Sequence, residues 1–553
     1  MASLFSKHEA LLQEACKALG ERSFYTPYPE HHSAWGENGY KEGEKAFTQH
    51  LNRPFEDLMA SGKGQLTSDE QSPWTLENLG IRYPKVSSDT LLEEAKAASK
   101  AWKQAGVEMR TGILIEVLER IKGRFFELAH ATMHTSGQSF MMAFQASGPH
   151  ASDRALEAVA QAFLEQNRYP ETVRWEKPMG KFNVALDKTF RPVPKGIGLV
   201  IGCSTFPVWN SVPGIFANLA VGNPVIVKPH PGAILPIAMV VAELQKVLQE
   251  AGFSGHEVQL APDNFDAPLT RELAEHPAVK LIDYTGGTSF GKYLESLPNK
   301  VLFTEKSGVN PVILDSVDDL KAVLQNLAFA VTLFSGQMCT APQNFFIPKG
   351  GIKEGDQTIP YQEVVEKLRK SIEGLVKHPK LGPGTMAALQ SNRTLDRVKE
   401  SNALGAKVVL EAHAFRHSDY PKARTSSPTL LETQASEVDL FESELFGPIA
   451  VVVQTRDTHQ SIELASQLAA RQGALTCAAY TTDPDIERAI QEAMEEAFVG
   501  VSFNLTGYIW VNQAAAFSDF HVSGGNPAGN ASFVNADYIN RRMVWIGHRR
   551  LVS

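Results

Sequence analysis

The sequence predicts an α/β protein built from two open parallel sheets in series. Three observations carry that expectation. Short, β-rich apolar runs alternate with helix-like stretches from about residue 197 onward. The alternation begins a second time near Pro311. At 553 residues, the chain is also too long for one compact core. Strands that alternate with helices require crossover connections, and these favour parallel pairing with one hand.

In chain order, residues 4–20 and 90–133 carry helical periodicity, with Ile113, Ile115, Val117 and Leu118 set among charges. Between them, residues 22–88 are rich in aromatics, Gly, Pro and His and read as irregular, with one helix expected over 42–61. His31 and His32 read as a surface loop, because no further ligand stands at a metal-binding spacing. The first alternation is strand 197–201, helix 211–221, strand 224–227, helix 234–251, strand 279–284 and helix 288–297. The second has strands near 311–314, 343–347, 407–411, 450–453 and 475–480. No fixed-period repeat accompanies them, which disfavours a solenoid.

Bulk properties exclude several classes. The net charge of −9 disfavours a nucleic-acid partner. Residues 196–227 hold no charge, but Pro207, Pro213 and Pro224 interrupt them. A helix so broken would leave backbone groups unpaired in lipid, so buried strands and a short helix are expected and no membrane span. Cys16, Cys203, Cys339 and Cys477 show neither metal-ligand nor disulfide spacing, which fits reduced thiols, no metal site and a cytoplasmic setting. Residues 1–21 carry charges throughout and no apolar signal core.

Two stretches carry chemistry. Glu305 ends an apolar run in Thr304-Glu305-Lys306-Ser307-Gly308-Val309-Asn310-Pro311. Cys339 sits in Phe334-Ser335-Gly336-Gln337-Met338-Cys339-Thr340, a Gly-containing loop past a helix-like run. A thiolate is a strong nucleophile once a base or a lowered pKa activates it, whereas most cysteines are inert core residues. Lys228 stands at the C-terminal end of a buried strand, where open α/β sheets bind ligands. Thr285-Gly286-Gly287 turns a strand into a helix, and glycines there let backbone approach a phosphate. A tight turn and a solvated lysine are equally simple readings of those two features.

Together these residues resemble the aldehyde dehydrogenase superfamily, from about residue 90 to the last residue. Lys228-Pro229, the Thr285-Gly286 turn and Glu444-Leu445-Phe446-Gly447-Pro448 match as well. The wording is most similar to members of phenylacetate degradation that lack a fused hydratase domain. The resemblance implies a Rossmann-like NAD(P)-binding domain over 1–169 and 193–308, with an N-terminal extension. It implies a catalytic domain over 309–528 and a small β oligomerisation element over 170–192 and 529–553, giving a homodimer or homotetramer. Cys339 would attack the aldehyde, hydride would pass to the nicotinamide, and Glu305 would activate water against the thioester. Lys228 would bind the adenosine ribose and Glu444 the nicotinamide ribose, with Phe446 near the ring. The implied substrate is a semialdehyde of aromatic catabolism carried on coenzyme A. Two alternatives are a coenzyme-A-acylating dehydrogenase, which commonly lacks the glutamate, and a weakly catalytic cofactor-binding protein.

The chain departs from the family at three places. The family's oxyanion asparagine is replaced by Thr205, with Asn210 nearby, and loss of one such donor costs roughly 3–4 kcal/mol of barrier. Pro231 stands where many NAD-preferring members have a glutamate, so NADP use at least equal to NAD is expected, with His230 a contact for the phosphate. The stretch His521-Val522-Ser523-Gly524-Gly525-Asn526-Pro527 also differs from the family wording and reads as a Gly-rich structural loop, with a part in shaping the substrate mouth as the alternative.

Overall fold

The protein is described here from a computed structural model, covering residues 3–62, 64–509, 516–518, 520–532 and 535–552. Residues 510–515, 519, 533–534 and 553, which fall inside the expected catalytic and oligomerisation ranges, lie outside the described residues, as do 1–2 and 63.

Two parallel sheets organise the chain. The first runs in the order Val258–Leu260, Val225–Lys228, Ile197–Ile201, Val279–Thr285, Val301–Glu305, all parallel. The strands 197–201 and 225–228 are buried at every position, as expected when helices cover both faces. Strand order reverses beside 197–201, and a crevice opens there at the C-terminal strand ends. The loops 202–210 and 286–287 leave neighbouring strands at that crevice.

The second sheet has seven strands, in the order Lys407–Leu410, Thr429–Gln434, Ile449–Thr455, Pro342–Pro348, Asn310–Leu314, Thr476–Tyr480, Gly500–Phe503. Only the edge strand 407–410 is antiparallel to its neighbour. A third, antiparallel sheet joins the hairpin Thr172–Met179 and Phe182–Pro194 to Met543–Leu551. It reaches away from both cores and leaves Phe182 63% exposed, with Met179 and Val544 also open.

The N-terminal segment belongs to the first core. Leu12, Tyr28, Phe47 and Trp74 share one hydrophobic cluster with Ile215 and Val240 of the helices Val212–Val221 and Leu235–Glu250. The helix Leu4–Glu21 lies so close to the helix Val107–Ile121 that a Cβ on Gly112 would stand 2.4 Å from the Phe5 amide nitrogen.

One expectation needs correction. The helix expected over 42–61 spans only Gly39–His50. Pro54 lacks a donor, Asn52 is left-handed (φ 59°), and the backbone turns instead to bond Leu79 and Arg82. The helical run 90–133 is present as three helices, Ser88–Gln104, Val107–Ile121 and Phe125–Ser136, separated at left-handed Gly106 and at a short tight turn over Lys122–Arg124. Among the described residues, no helix is long and apolar enough to cross a membrane.

Candidate active site

A cavity of about 1050 Å³ opens at the crevice of the first sheet and reaches across to the second. Thr205, His230, Thr285, Gly286, Gly287, Glu305, Cys339, Glu444 and Phe446 all line it. Of the residues expected to act in catalysis or cofactor binding, Lys228 is the one that does not line it. It is buried, with Nζ 2.6 Å from Asp263 Oδ1. His230 takes the Gly232 amide on Nδ1 at 3.1 Å, and burial beside Lys228 pushes its pKa down to about 4. It is therefore neutral at pH 7 and meets an anion only as a hydrogen-bond donor.

The loop 286–287 offers backbone to the cavity. The helix Thr288–Glu295 starts at Gly287 with no side-chain cap, so its first N–H groups face the space in front of it. A Cβ on Gly287 would meet nothing within 4 Å, while one on Gly286 would strike the Tyr284 hydroxyl at 2.5 Å. This unfilled turn at a helix N-terminus suits a pyrophosphate. Arg271, Arg393 and Arg397 add positive charge to the same cavity, and Glu444 adds an acceptor. Burial raises the Glu444 carboxyl, partly offset by the Ser307 hydroxyl and the Gly308 amide. These features fit a dinucleotide.

Cys339 is held by its backbone. The run Phe334, Ser335, Gly336 is left-handed, with φ 51°, 50° and 65°. Non-glycine residues take that conformation at a cost of about 1–3 kcal/mol each, and only when the surroundings hold them. Here Ser335 Oγ donates to the Ala387 carbonyl and accepts from the Ala387 amide, both at 3.0 Å. A Cβ on Gly336 would lie 2.3 Å from the Gly447 carbonyl oxygen. Asn310 Nδ2 donates to the Cys339 carbonyl at 2.8 Å, so the glutamate-bearing stretch also fixes the thiol-bearing loop.

The side chains then meet. The Glu305 carboxylate and the Cys339 thiol lie within 4.8 Å of each other, and His521 is hydrogen-bonded to both. Burial and the facing carboxylate push the Cys339 thiol well above its ordinary value. Glu305 lies below its ordinary value: burial raises it, but His521, Arg154 and the Cys339 thiol outweigh that. His521 is the residue that sequence reasoning missed. Its Nε2 stands 3.5 Å from Cys339 Sγ and 3.3 Å from Glu305 Oε1, and the ring is 2% exposed. The glycines around it are structural, as expected: a Cβ on Gly524 would meet Ala531 at 2.8 Å, and Gly529 pairs with Glu305. The signal available in the sequence was an imidazole between Phe520 and Val522 in a stretch that departs from the family wording.

The oxyanion side is less complete. Asn210 Nδ2 donates to Cys203 Sγ at 3.3 Å, and the Thr205 hydroxyl lies 4.0 Å from the same sulfur. The Thr205 carbonyl accepts from Gln138 Nε2 at 2.7 Å, which fixes this loop beside the cavity.

A second cavity, of about 540 Å³, also reaches Cys339. Phe24, Tyr25 and Tyr28 of the N-terminal segment line it together with Phe206, Trp209 and Phe329. Its acids carry little free charge. Burial lifts Asp153 well above its ordinary value, and Glu30 pairs with His150 at 2.9 Å.

The family model described as the aldehyde dehydrogenase family matches residues 81–540. The crystal structure of an NAD-dependent aldehyde dehydrogenase from Burkholderia multivorans is 43% identical, with each chain fully covered and a TM-score of 0.97. The 1-pyrroline-5-carboxylate dehydrogenase of Bacillus cereus is 24% identical over 88% of this chain and 91% of its own. A Thermus enzyme of the same name, solved with bound NAD, is 19% identical, covers 93% of this chain and 96% of its own, and superposes with a TM-score of 0.72.

Proposed function

The chain belongs to the aldehyde dehydrogenase family, and we propose that it oxidises an aldehyde on an aromatic or otherwise apolar body to the carboxylic acid. One observation carries this reading. The Cys339 thiol and the Glu305 carboxylate lie within 4.8 Å of each other where a dinucleotide-sized cavity meets an aromatic-lined one. The cofactor is NAD or NADP. When bound, it supplies the hydride acceptor.

The chain's own residues do the rest. Cys339 Sγ adds to the aldehyde carbon to give a thiohemiacetal, later oxidised to a thioester. The Cys339 backbone N–H and the Thr205 hydroxyl are the proposed donors to the oxyanion. Glu305 takes a proton from water, whose oxygen displaces the sulfur. A carboxylate kept ionised by His521 and Arg154 is ready for that proton at neutral pH. Glu444 would hold a ribose hydroxyl, the 286–287 turn would hold phosphate, and Phe446 would pack by the nicotinamide. Lys228 serves the adenosine end by fixing its loop through Asp263. Without a carboxylate at Pro231, NADP is accepted at least as well as NAD, and neutral His230 would contact the 2′-phosphate by a hydrogen bond.

The finer substrate reading is a coenzyme-A-linked semialdehyde of aromatic catabolism, supported by the resemblance and by the aromatic wall. A second reading is an amino-acid semialdehyde, favoured by the names of the Bacillus relatives and by the Arg154 cation in the same cavity. The exposed third sheet supports a homodimer or homotetramer. The test is reduction of NAD and NADP over free, coenzyme-A-linked and carboxylate-bearing aldehydes. Wild type turns over, Cys339→Ala does not, and Glu305→Gln releases one burst of reduced cofactor and then stalls as thioester. No turnover on any pair, with dinucleotide bound, overturns the reading.

A further inference from the structure

We propose that His521 is a catalytic residue, the base that takes the Cys339 thiol proton through Nε2. The inference rests on the reading of Cys339 as nucleophile. The geometry is direct: Nε2 lies 3.5 Å from Sγ, and the same nitrogen lies 3.3 Å from Glu305 Oε1. An imidazole buried against both a thiol and a carboxylate has a use that a merely packed histidine lacks. The ring is also oriented. Trp209 meets it edge to face at 4.7 Å, and the Arg154 guanidinium lies 3.4 Å over Trp209.

Without His521 the proton would have to pass from Cys339 to Glu305. That is a poor transfer, because burial raises the thiol while its neighbours keep the carboxylate below its ordinary value. The imidazole stands in reach of both groups, so the step divides. The S–H bond breaks, an Nε2–H bond forms, and the freed sulfur lone pair makes the C–S bond to the aldehyde. The imidazolium is then stabilised by the Glu305 carboxylate at contact distance. Its proton returns to Sγ when water has displaced the acyl group. Among the described residues His521 Nδ1 has no hydrogen-bond partner, and Nε2 is the ring nitrogen that faces the two reacting groups. The other ionisable groups around the ring are Cys203, Arg154 behind Trp209, and Asp153, Glu30 and His150 along the aromatic cavity.

The test needs no aldehyde. Iodoacetamide alkylation of Cys339 is followed by mass spectrometry from pH 5.5 to 9.5, with Cys339→Ala to assign the site. The donor atoms of Cys339, Glu305 and His521 lie within 4.8 Å of one another, so EDTA is present to keep divalent metals off them. Wild type is expected to react at least 10-fold faster at pH 7 than His521→Gln, with a shallow pH profile. His521→Gln is expected to rise with pH as an unassisted buried thiol does, and free imidazole to restore His521→Ala. Equal rates and profiles in wild type and His521→Gln, or no rescue of His521→Ala by imidazole, overturn the proposal. Fast, His521-dependent alkylation with no turnover on any aldehyde would leave this proton transfer standing and sink the substrate reading alone.

Discussion

At the scale of single residues, the site was legible where chemistry is written locally and hidden where it depends on distant contact. Cys339 and Glu305 could be named from the stretches around them. His521 could not, because nothing in its neighbourhood tells that the loop returns to the edge strand 301–305, where Gly529 pairs with Glu305. Lys228 could be placed at a strand end, but its ion pair with Asp263 depends on a loop from elsewhere. Thr205 is the residue whose role is most exposed to test. Thr205→Val keeps the volume and removes the hydroxyl. We expect kcat to fall about 100-fold with KM little changed, the usual loss for one oxyanion donor. Glu157 gives a prediction about stability. It is fully buried, and desolvation lifts its carboxyl to about 7 from the ordinary 4.5. A folded-state pKa above the unfolded one favours the native state below pH 4.5, and the advantage disappears as pH rises through 7. The difference amounts to about 3 kcal/mol. Glu157→Gln should therefore raise the urea midpoint at pH 8 and leave it nearly unchanged at pH 4.5.

At the scale of elements, alternation of strand and helix was readable from residue 197 onward because buried parallel strands are short apolar runs. The same reading failed over 42–61, where residues at helical spacing are overruled by Pro54 and by backbone bonds to Leu79 and Arg82. It also could not separate the helices of 90–133, since Gly106 looks tolerable inside a helix until its positive φ is known. The docking of the first helix turns on Gly112. In an isolated helix Gly112→Ala would add about 1 kcal/mol of stability. Here the new methyl would lie 2.4 Å from the Phe5 backbone, and overpacking of that kind costs about 1–3 kcal/mol. The contact decides the sign. Gly112→Ala should lower the melting temperature and speed limited proteolysis of residues 1–21.

At the scale of the whole molecule, two sheets in series followed from chain length and pattern, whereas the third sheet's reach did not. Its strands carry Phe182, Met179 and Val544 in the open, more apolar surface than a solitary hairpin tolerates. Because Phe182 is mostly exposed, Phe182→Asp should leave the melting curve of the subunit intact. In light scattering coupled to size exclusion, it should shift the mass from an oligomer toward 60.6 kDa.

Among the described residues, the two cavities share only Cys339 and Phe206. On the proposed reading, the aldehyde and the dinucleotide have separate doors and no need to queue. An unreactive blocker shaped for the aromatic door should be competitive toward aldehyde but noncompetitive toward NAD or NADP. The acid can likewise leave before the reduced cofactor has gone. Traffic through this enzyme is set by geometry as much as by chemistry, and inhibition patterns at steady state read that geometry directly.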